Sequence, residues 1–284
     1  MFEIARTTSL TVLRKVPTGW MLGADDREVL LPTRFVPEGT KRGDRLEVFL
    51  YTDSEDRPIA TTARPLAQAG EFAGLRVASV NSTGAFLDWG LPKDLLLPFR
   101  SQLGRLRPGQ RVVVYVDCDS VSGRPVASAK VERFLEIPPE QLREGQAVEI
   151  LVYEETELGA KAIVDGRFGG LLYADSGRSQ LEIGVAAGGY IDRIRPDGKV
   201  DLSLAPRGRA GAEQAREILL RALERAGGRL ELSDGSSPEE IRRELGLSKK
   251  AFKRAVGALY RERRIRLEDL SIEWTDSGKK GGEM

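Results

Sequence analysis

The chain has 284 residues, of which 44 are basic and 43 acidic, so a net charge of +1 singles out no class of partner. It contains no histidine and a single cysteine, Cys118, which excludes His-dependent nucleophiles and bases, N/S-type zinc sites and an internal disulfide. The N-terminus, Met1-Phe2-Glu3-Ile4-Ala5-Arg6, lacks the basic-then-apolar run of a leader, and no window approaches the roughly 18 apolar residues of a membrane span. A Gly-rich phosphate loop is also missing. These features predict a cytoplasmic protein away from membranes that is not an enzyme and uses no cofactor or metal.

In chain order, the first 65 residues read as short alternating strands broken by Gly, Asn, Asp and Pro. The same layout returns at a fixed offset. Leu30-Leu31-Pro32 recurs 66 positions later as Leu96-Leu97-Pro98, Gly43 as Gly109, and Asp53 as Asp119. Arg57-Pro58-Ile59-Ala60 recurs as Arg124-Pro125-Val126-Ala127, one residue further on. A weaker third copy runs from Val148-Glu149-Ile150 through Leu158-Gly159-Ala160 and Leu171-Leu172-Tyr173 to Lys199-Val200-Asp201-Leu202. Prolines mark the seams at Pro65, Pro138-Pro139 and Pro206. A unit of this size buries only roughly 60% of its unfolded surface, so docking between neighbours is expected.

After Pro206 the apolar period changes from two to about 3.6. Residues 212–226 form one helical stripe, and Arg229-Leu230-Glu231-Leu232 reads as a short strand. Ser237-Pro238-Glu239-Glu240 carries a capping box, and that helix stops at Gly246. Ser248 opens a helix to about Arg261, and Ile265–Leu267 with Ile272–Trp274 read as a two-stranded wing. The predicted fold is therefore multi-domain and mainly β: three tandem five-stranded OB-fold barrels (1–65, 66–139, 140–206), then an α+β winged helix-turn-helix domain (212–275) and a disordered tail (276–284).

Candidate binding residues follow from strand parity and charge. In Gly84-Ala85-Phe86-Leu87-Asp88-Trp89-Gly90, a core that takes Leu87 turns Phe86 and Asp88 outward and Trp89 inward. An outward ring stacks on bases. Phe99 and Arg100 begin the segment after the third strand and border that face. Arg57, Arg124 and Lys199 sit beyond the turn between the last two strands, with Asp53 and Asp119 placed to hold the first two. Tyr173 stands where Pro32 and Pro98 stand in the other copies. In the last domain Lys250, Lys253, Arg254 and Arg261 lie opposite the Phe252/Val256/Leu259 stripe, around Gly257. Eight basic residues face one acidic residue across 248–266, whereas 140–204 is acidic, with seven against twelve.

The order Gly-Ala-Phe-Leu-Asp, Leu-Leu-Pro, Gly-Asp-Arg-Leu-Glu-Val and Asp-x-x-x-Arg resembles the RNA-binding barrel repeated in the largest small-subunit ribosomal protein, the "S-one" motif. Glu47 to Ser54, Arg57 to Thr62 and Gly84 to Leu96 resemble the conserved virulence factor B (YitL-like) family of bacteria. The resemblance implies three such barrels and a winged helix that bind RNA without catalysis, in a regulatory role. It matches Phe86 to a platform aromatic and Asp119 with Arg124 to an acid/base pair, while Met21 and Lys161 replace the ring in the other two barrels. The expected partner is single-stranded RNA, read with low sequence specificity. The alternatives are DNA, bound by the winged helix, and ribosomal or RNA-processing proteins held by a scaffold.

Overall fold

A computed structural model of the chain describes residues 3–24, 27–119, 122–173, 181–206 and 208–275, with the side chains of 208–210 left aside. The expected tail, 276–284, lies outside the described residues.

Three closed barrels follow one another. The first is built from β1 (Thr7–Val16), β2 (Gly19–Ala24), β3 (Arg27–Pro32), β4 (Arg45–Thr52) and β5 (Pro58–Thr61). The second uses β6 (Phe72–Val80), β7 (Gly84–Asp88), β8 (Leu95–Pro98), β9 (Arg111–Cys118) and β10 (Pro125–Ser128). The third uses β11 (Ala147–Glu155), β12 (Gly159–Val164), β13 (Phe168–Tyr173), β14 (Ala186–Ile194) and β15 (Val200–Ser203). Each closes in the order first-second-third-fifth-fourth strand, and in the first two barrels the third and fifth strands pair in parallel. Closure leaves no unpaired edge.

Three devices recur at matching places and explain how such short strands close. The first strand of each barrel slips register once, between Val12 and Arg14, Val77 and Ser79, and Val152 and Glu154; a bulge there bends the strand around the barrel. Gly43, Gly109 and Gly184, with φ of +92°, +83° and +76°, each donate an N–H to the carbonyl of Val12, Val77 or Val152 at 2.8 Å. The second strand of each barrel opens on Gly19, Gly84 or Gly159, where a Cβ would lie 2.0, 2.4 or 2.2 Å from the carbonyl oxygen of Leu31, Leu97 or Leu172. The third copy, faint in sequence, thus keeps the same backbone.

The first barrel has its own core, with Leu10, Val12, Leu22, Leu31, Val48 and Leu50 in it, and its outward-facing residues join the core of the second. Ala5, Phe49 and Tyr51 are buried with Leu87, Trp89, Leu95 and Leu97 of the second barrel. Trp89 is internal, as its parity predicts, with its ring edge-on to Phe49 at 5.6 Å and its Nε1 donating to the Lys93 carbonyl at 2.7 Å. Between the second and third barrels, Val113, Val131 and Ile163 are buried together, with Phe72, Leu151 and Tyr153 against them. Gly74 meets Gly184 so closely that a Cβ on Gly74 would lie 1.9 Å from the Gly184 oxygen. That oxygen also accepts from Arg111 Nη1 at 3.1 Å. Cys118 is half-buried, its Sγ donating to the Ile4 carbonyl at 3.3 Å, and burial followed by the Asp117 charge pushes its thiol up.

The chain divides into two compact units, Met1–Glu140 with Val148–Gly188 and Pro196–Val200, and Gln141–Ala147 with Gly189–Arg195 and Asp201–Met284. Within the second, α1 (Gly208–Arg225), β16 (Arg229–Leu230), α2 (Pro238–Leu245), α3 (Lys249–Arg261), β17 (Ile265–Leu267) and β18 (Ile272–Trp274) form the winged-helix region. Leu219, Leu223, Ile241, Phe252, Leu259 and Ile272 make its core. Ser237 and Glu240 form the capping box, Gly246 stops α2 at φ +67°, and Ser248 caps α3. One expectation is corrected. The first helix begins at Gly208 rather than 212, taking Gly208 and Gly211 into helix. The short strand expected over 229–232 is Arg229–Leu230, and it joins the expected two-stranded wing by pairing with β18 through Arg229 and Glu273.

The backbone contact at Gly84 sets a stability test. Gly84→Ala should lower stability by about 1–3 kcal/mol through overpacking in denaturant unfolding, whereas Gly104→Ala, which meets nothing within 4 Å, should leave it unchanged.

Candidate nucleic-acid interface

Strand pairing places one row of outward residues across the second barrel: Ser79 on β6, Phe86 on β7, Leu96 on β8, Val126 on β10 and Asp117 on β9. Ala85 and Leu87 point into the core, so Phe86, Leu96 and Val126 form a half-buried apolar ribbon on the outside. Asp88 is exposed on the same side, but its carboxylate closes the following turn by accepting from Gly90 N–H at 2.9 Å. A 3₁₀ turn, Phe99–Ser101, follows Pro98. It leaves Phe99 53% exposed, beside an exposed Arg100 whose guanidinium lies 3.3 Å from Asp119 Oδ2.

The expected pairing of Asp119 with Arg124 is not the arrangement observed. The two backbones close the turn, Asp119 N–H donating to the Arg124 carbonyl at 2.8 Å, but the Arg124 side chain reaches Asp56 of the first barrel at 2.6 Å. Asp119 instead accepts from Ser122 N–H and Oγ–H, at 2.8 and 2.9 Å, and faces Arg100. The first barrel, whose turn is one residue shorter, does close the pair internally. Asp53 accepts from Arg57 Nε at 2.9 Å, from its Nη2 at 2.8 Å, and from the Glu55 and Arg57 amides. Desolvation pulls the Asp53 carboxyl upward, but these hydrogen bonds outweigh it and hold the group below its ordinary value.

Registers put Met21, Phe86 and Lys161 at one position, each opposite the residue after the bulge (Arg14, Ser79 and Glu154). The surroundings differ. In the first barrel the row continues through Leu30 and Ile59 to Tyr51, which is buried in the core shared with the second barrel. In the third, Lys161 bonds Glu132 at 2.8 Å and Glu154 at 2.9 Å, and these carboxylates push its ammonium pKa up. Tyr173 stands opposite Gly159, as Pro98 stands opposite Gly84 and Pro32 opposite Gly19, and is half-buried. Lys199 lies 3.3 Å from Asp197.

On α3, Lys250, Lys253, Arg254 and Arg261 are all exposed, opposite the buried Phe252, Ala255, Val256 and Leu259. Lys253 is paired with Asp234 at 2.8 Å, and Arg261 Nε donates to the Gly257 carbonyl at 3.0 Å. A Cβ on Gly257 would meet nothing within 4 Å. Tyr260, 54% exposed, joins this face beside Lys253. It was overlooked in the sequence, although a spacing of about 100° per residue locates it there. The charge surplus expected to extend into the wing is largely neutralised. Glu273 binds both Arg229 and Arg266, Arg264 lies over the Trp274 ring at 5.5 Å, and the wing turn carries Glu268 and Asp269.

Among the described residues, no three His, Cys, Asp or Glu side chains come together as a metal site, and no helix is long and apolar enough to cross a membrane.

Residues 217–273 match the family model of the CvfB-like winged helix domain, and residues 5–63 match that of the S1 domain. The uncharacterized protein YitL of Bacillus subtilis is 25% identical over 271 residues, covering 92% of this chain and 90% of its own length. Conserved virulence factor B of Staphylococcus epidermidis is 23% identical over 283 residues, covering 97% and 93%. A solved multidomain protein with nucleic acid binding domains from Streptococcus pneumoniae is 22% identical and aligns over 96% of this chain and 99% of its own, at a TM-score of 0.45. Residues 5–63 are thus similar to an S1 domain and residues 217–273 to a CvfB-like winged helix domain, and the chain is similar over most of its length to proteins named YitL and conserved virulence factor B.

The depressed Asp53 carboxyl gives the first barrel's turn a defined pH dependence. A folded-state pKa below the unfolded one contributes stability above the ordinary carboxylate range, and that contribution is lost as pH falls through the lowered value. Wild type should exceed Asp53→Asn in stability at neutral pH, and the two should converge in strong acid, followed by denaturant unfolding across pH.

Proposed function

We propose that this chain is a bacterial RNA-binding regulator that holds single-stranded RNA by ring stacking and phosphate contacts, without catalysing a reaction. The observation that carries the reading is the outward ribbon of Phe86, Leu96 and Val126, bordered by exposed Phe99 and Arg100. A flat ring on a barrel face offers a stacking platform to any unpaired base, and a neighbouring guanidinium meets the backbone. The S1 match over 5–63 and the S-one resemblance of the second barrel support the same class of ligand.

The second contact surface is α3. Lys250, Arg254 and Arg261 present charge around Gly257, where the lack of a side chain admits a backbone closely, and Tyr260 adds a ring. Duplex DNA would engage a recognition helix and a wing together, and here Glu273, Glu268 and Asp269 offset the wing's cations. That favours RNA strands over duplex DNA. Because most contacts address ring faces and phosphates rather than base edges, sequence selectivity should be modest.

Matched single-stranded RNA and duplex DNA, compared at one salt concentration, test the reading; tighter duplex binding would transfer the lead to the winged helix. Phe86→Ala should weaken RNA binding by about 1–3 kcal/mol with thermal unfolding unchanged. Lys250→Glu combined with Arg254→Glu should flatten the dependence of log affinity on log salt, and a preserved slope would remove α3 from the interface.

A further inference from the structure

We infer that Arg124 is a positioning residue, which with Lys93 clasps the last turn of the first barrel to the second, and that phosphate contact on the second barrel falls to Arg100. This rests on the proposed RNA-binding reading. The clasp centres on Asp56, a non-glycine residue at φ +62°. Asp53 closes the turn from within by taking Arg57, which leaves the Asp56 carboxylate directed at the second barrel. There Oδ1 meets Lys93 Nζ at 3.1 Å and Oδ2 meets Arg124 Nη2 at 2.6 Å. Lys93 Nζ also donates to the Asp53 carbonyl at 2.5 Å and to Thr52 Oγ1 at 3.3 Å.

The segment that supplies Lys93 is itself fixed. Its carbonyl receives the indole N–H of Trp89, and that ring packs on Phe49 of the first barrel. An isolated surface ion pair contributes little. Two pairs that share one carboxylate, set beside a buried apolar seam, instead define a geometry. The guanidinium of Arg124 is committed to Asp56, while Arg100 stands exposed next to Phe99 with Asp119 steadying it. The clasped turn also carries Arg57, whose guanidinium lies 2.8 Å from Asp53 and 2.9 Å from Glu55 but stays 66% exposed, so a strand long enough to extend from the Phe86 platform to that turn would meet a cation whose place is set by Arg124 rather than by a free tether. A fixed second contact raises affinity for ligands long enough to reach it and does nothing for shorter ones.

The test uses the full chain and fluorescent oligouridylates of about 4 and about 20 nucleotides, at the lower limit of the roughly 4–16 nucleotides one barrel spans and beyond its upper limit. Arg124→Ala should leave short-RNA affinity and its salt slope unchanged, and lower long-RNA affinity roughly tenfold. It should also speed amide hydrogen exchange over the Asp53–Arg57 turn, with Arg124→Lys restoring part of each effect. Arg100→Ala should lower the salt slope by about 1 for both lengths, with exchange at that turn unaltered. A reduced slope or weaker short-RNA binding on Arg124→Ala overturns the inference, as does unchanged long-RNA affinity or unchanged exchange. Should the wild-type chain bind neither RNA, the proposed function falls. Exchange in wild type, Arg124→Ala and Asp56→Ala then still decides the clasp by itself.

Discussion

The burial of Trp89 between two barrels is the contact on which the first half of this molecule depends. A barrel of about 65 residues removes too little apolar surface from water to be secure alone, and this chain resolves the shortage by merging cores. Phe49 and Tyr51, which face outward from the first barrel's own interior, join Leu87, Trp89 and Leu95 of the second. Every large side chain transferred from water contributes about 1.5–3 kcal/mol, so a few shared residues weigh heavily against a net stability of only about 5–15 kcal/mol. The same device, on a smaller scale, joins the second barrel to the third through Val113, Val131 and Ile163.

Merged cores have a consequence for binding. An outer surface enlisted in a seam is no longer open to a ligand, and the three barrels have divided these tasks unequally. Tyr51, at the end of the first barrel's outward row, is covered. Lys161, at the platform position of the third, is held between Glu132 and Glu154. Among the described residues, the second barrel alone combines an outward ring at that position with an exposed ring and cation alongside. A repeated fold therefore does not imply a repeated function, because ligand contact depends on side chains that the backbone pattern leaves free to vary.

Much of the architecture was legible because local rules and global fold agree. Alternation at Ala85-Phe86-Leu87 gave the inward and outward faces. The offset of 66 between Gly43 and Gly109 marked a duplication, and Ser237 with Glu240 gave a helix start that the structure reproduces. The third barrel was fainter because its shared features are backbone features. Gly184 has the hydrogen bond of Gly43 and Gly109, yet its neighbours share none of their side chains. The early start of α1 escaped notice because Gly208 and Gly211 are poor helix formers, a local preference that the folded domain overrides.

The residues themselves determined strand parity, barrel count, the winged helix and the identity of the outward ring, since these depend on periods of two and 3.6 and on turn chemistry within a few positions. Only the tertiary structure decided which partner each charge takes. Arg124 and Asp119 lie five positions apart and read as a pair, but Asp56, 68 positions before Arg124, is nearer to its guanidinium once the barrels dock. Electrostatic attraction follows distance in space, and a long side chain on a turn reaches whichever neighbour the fold brings to it. No spacing along the chain encodes that choice.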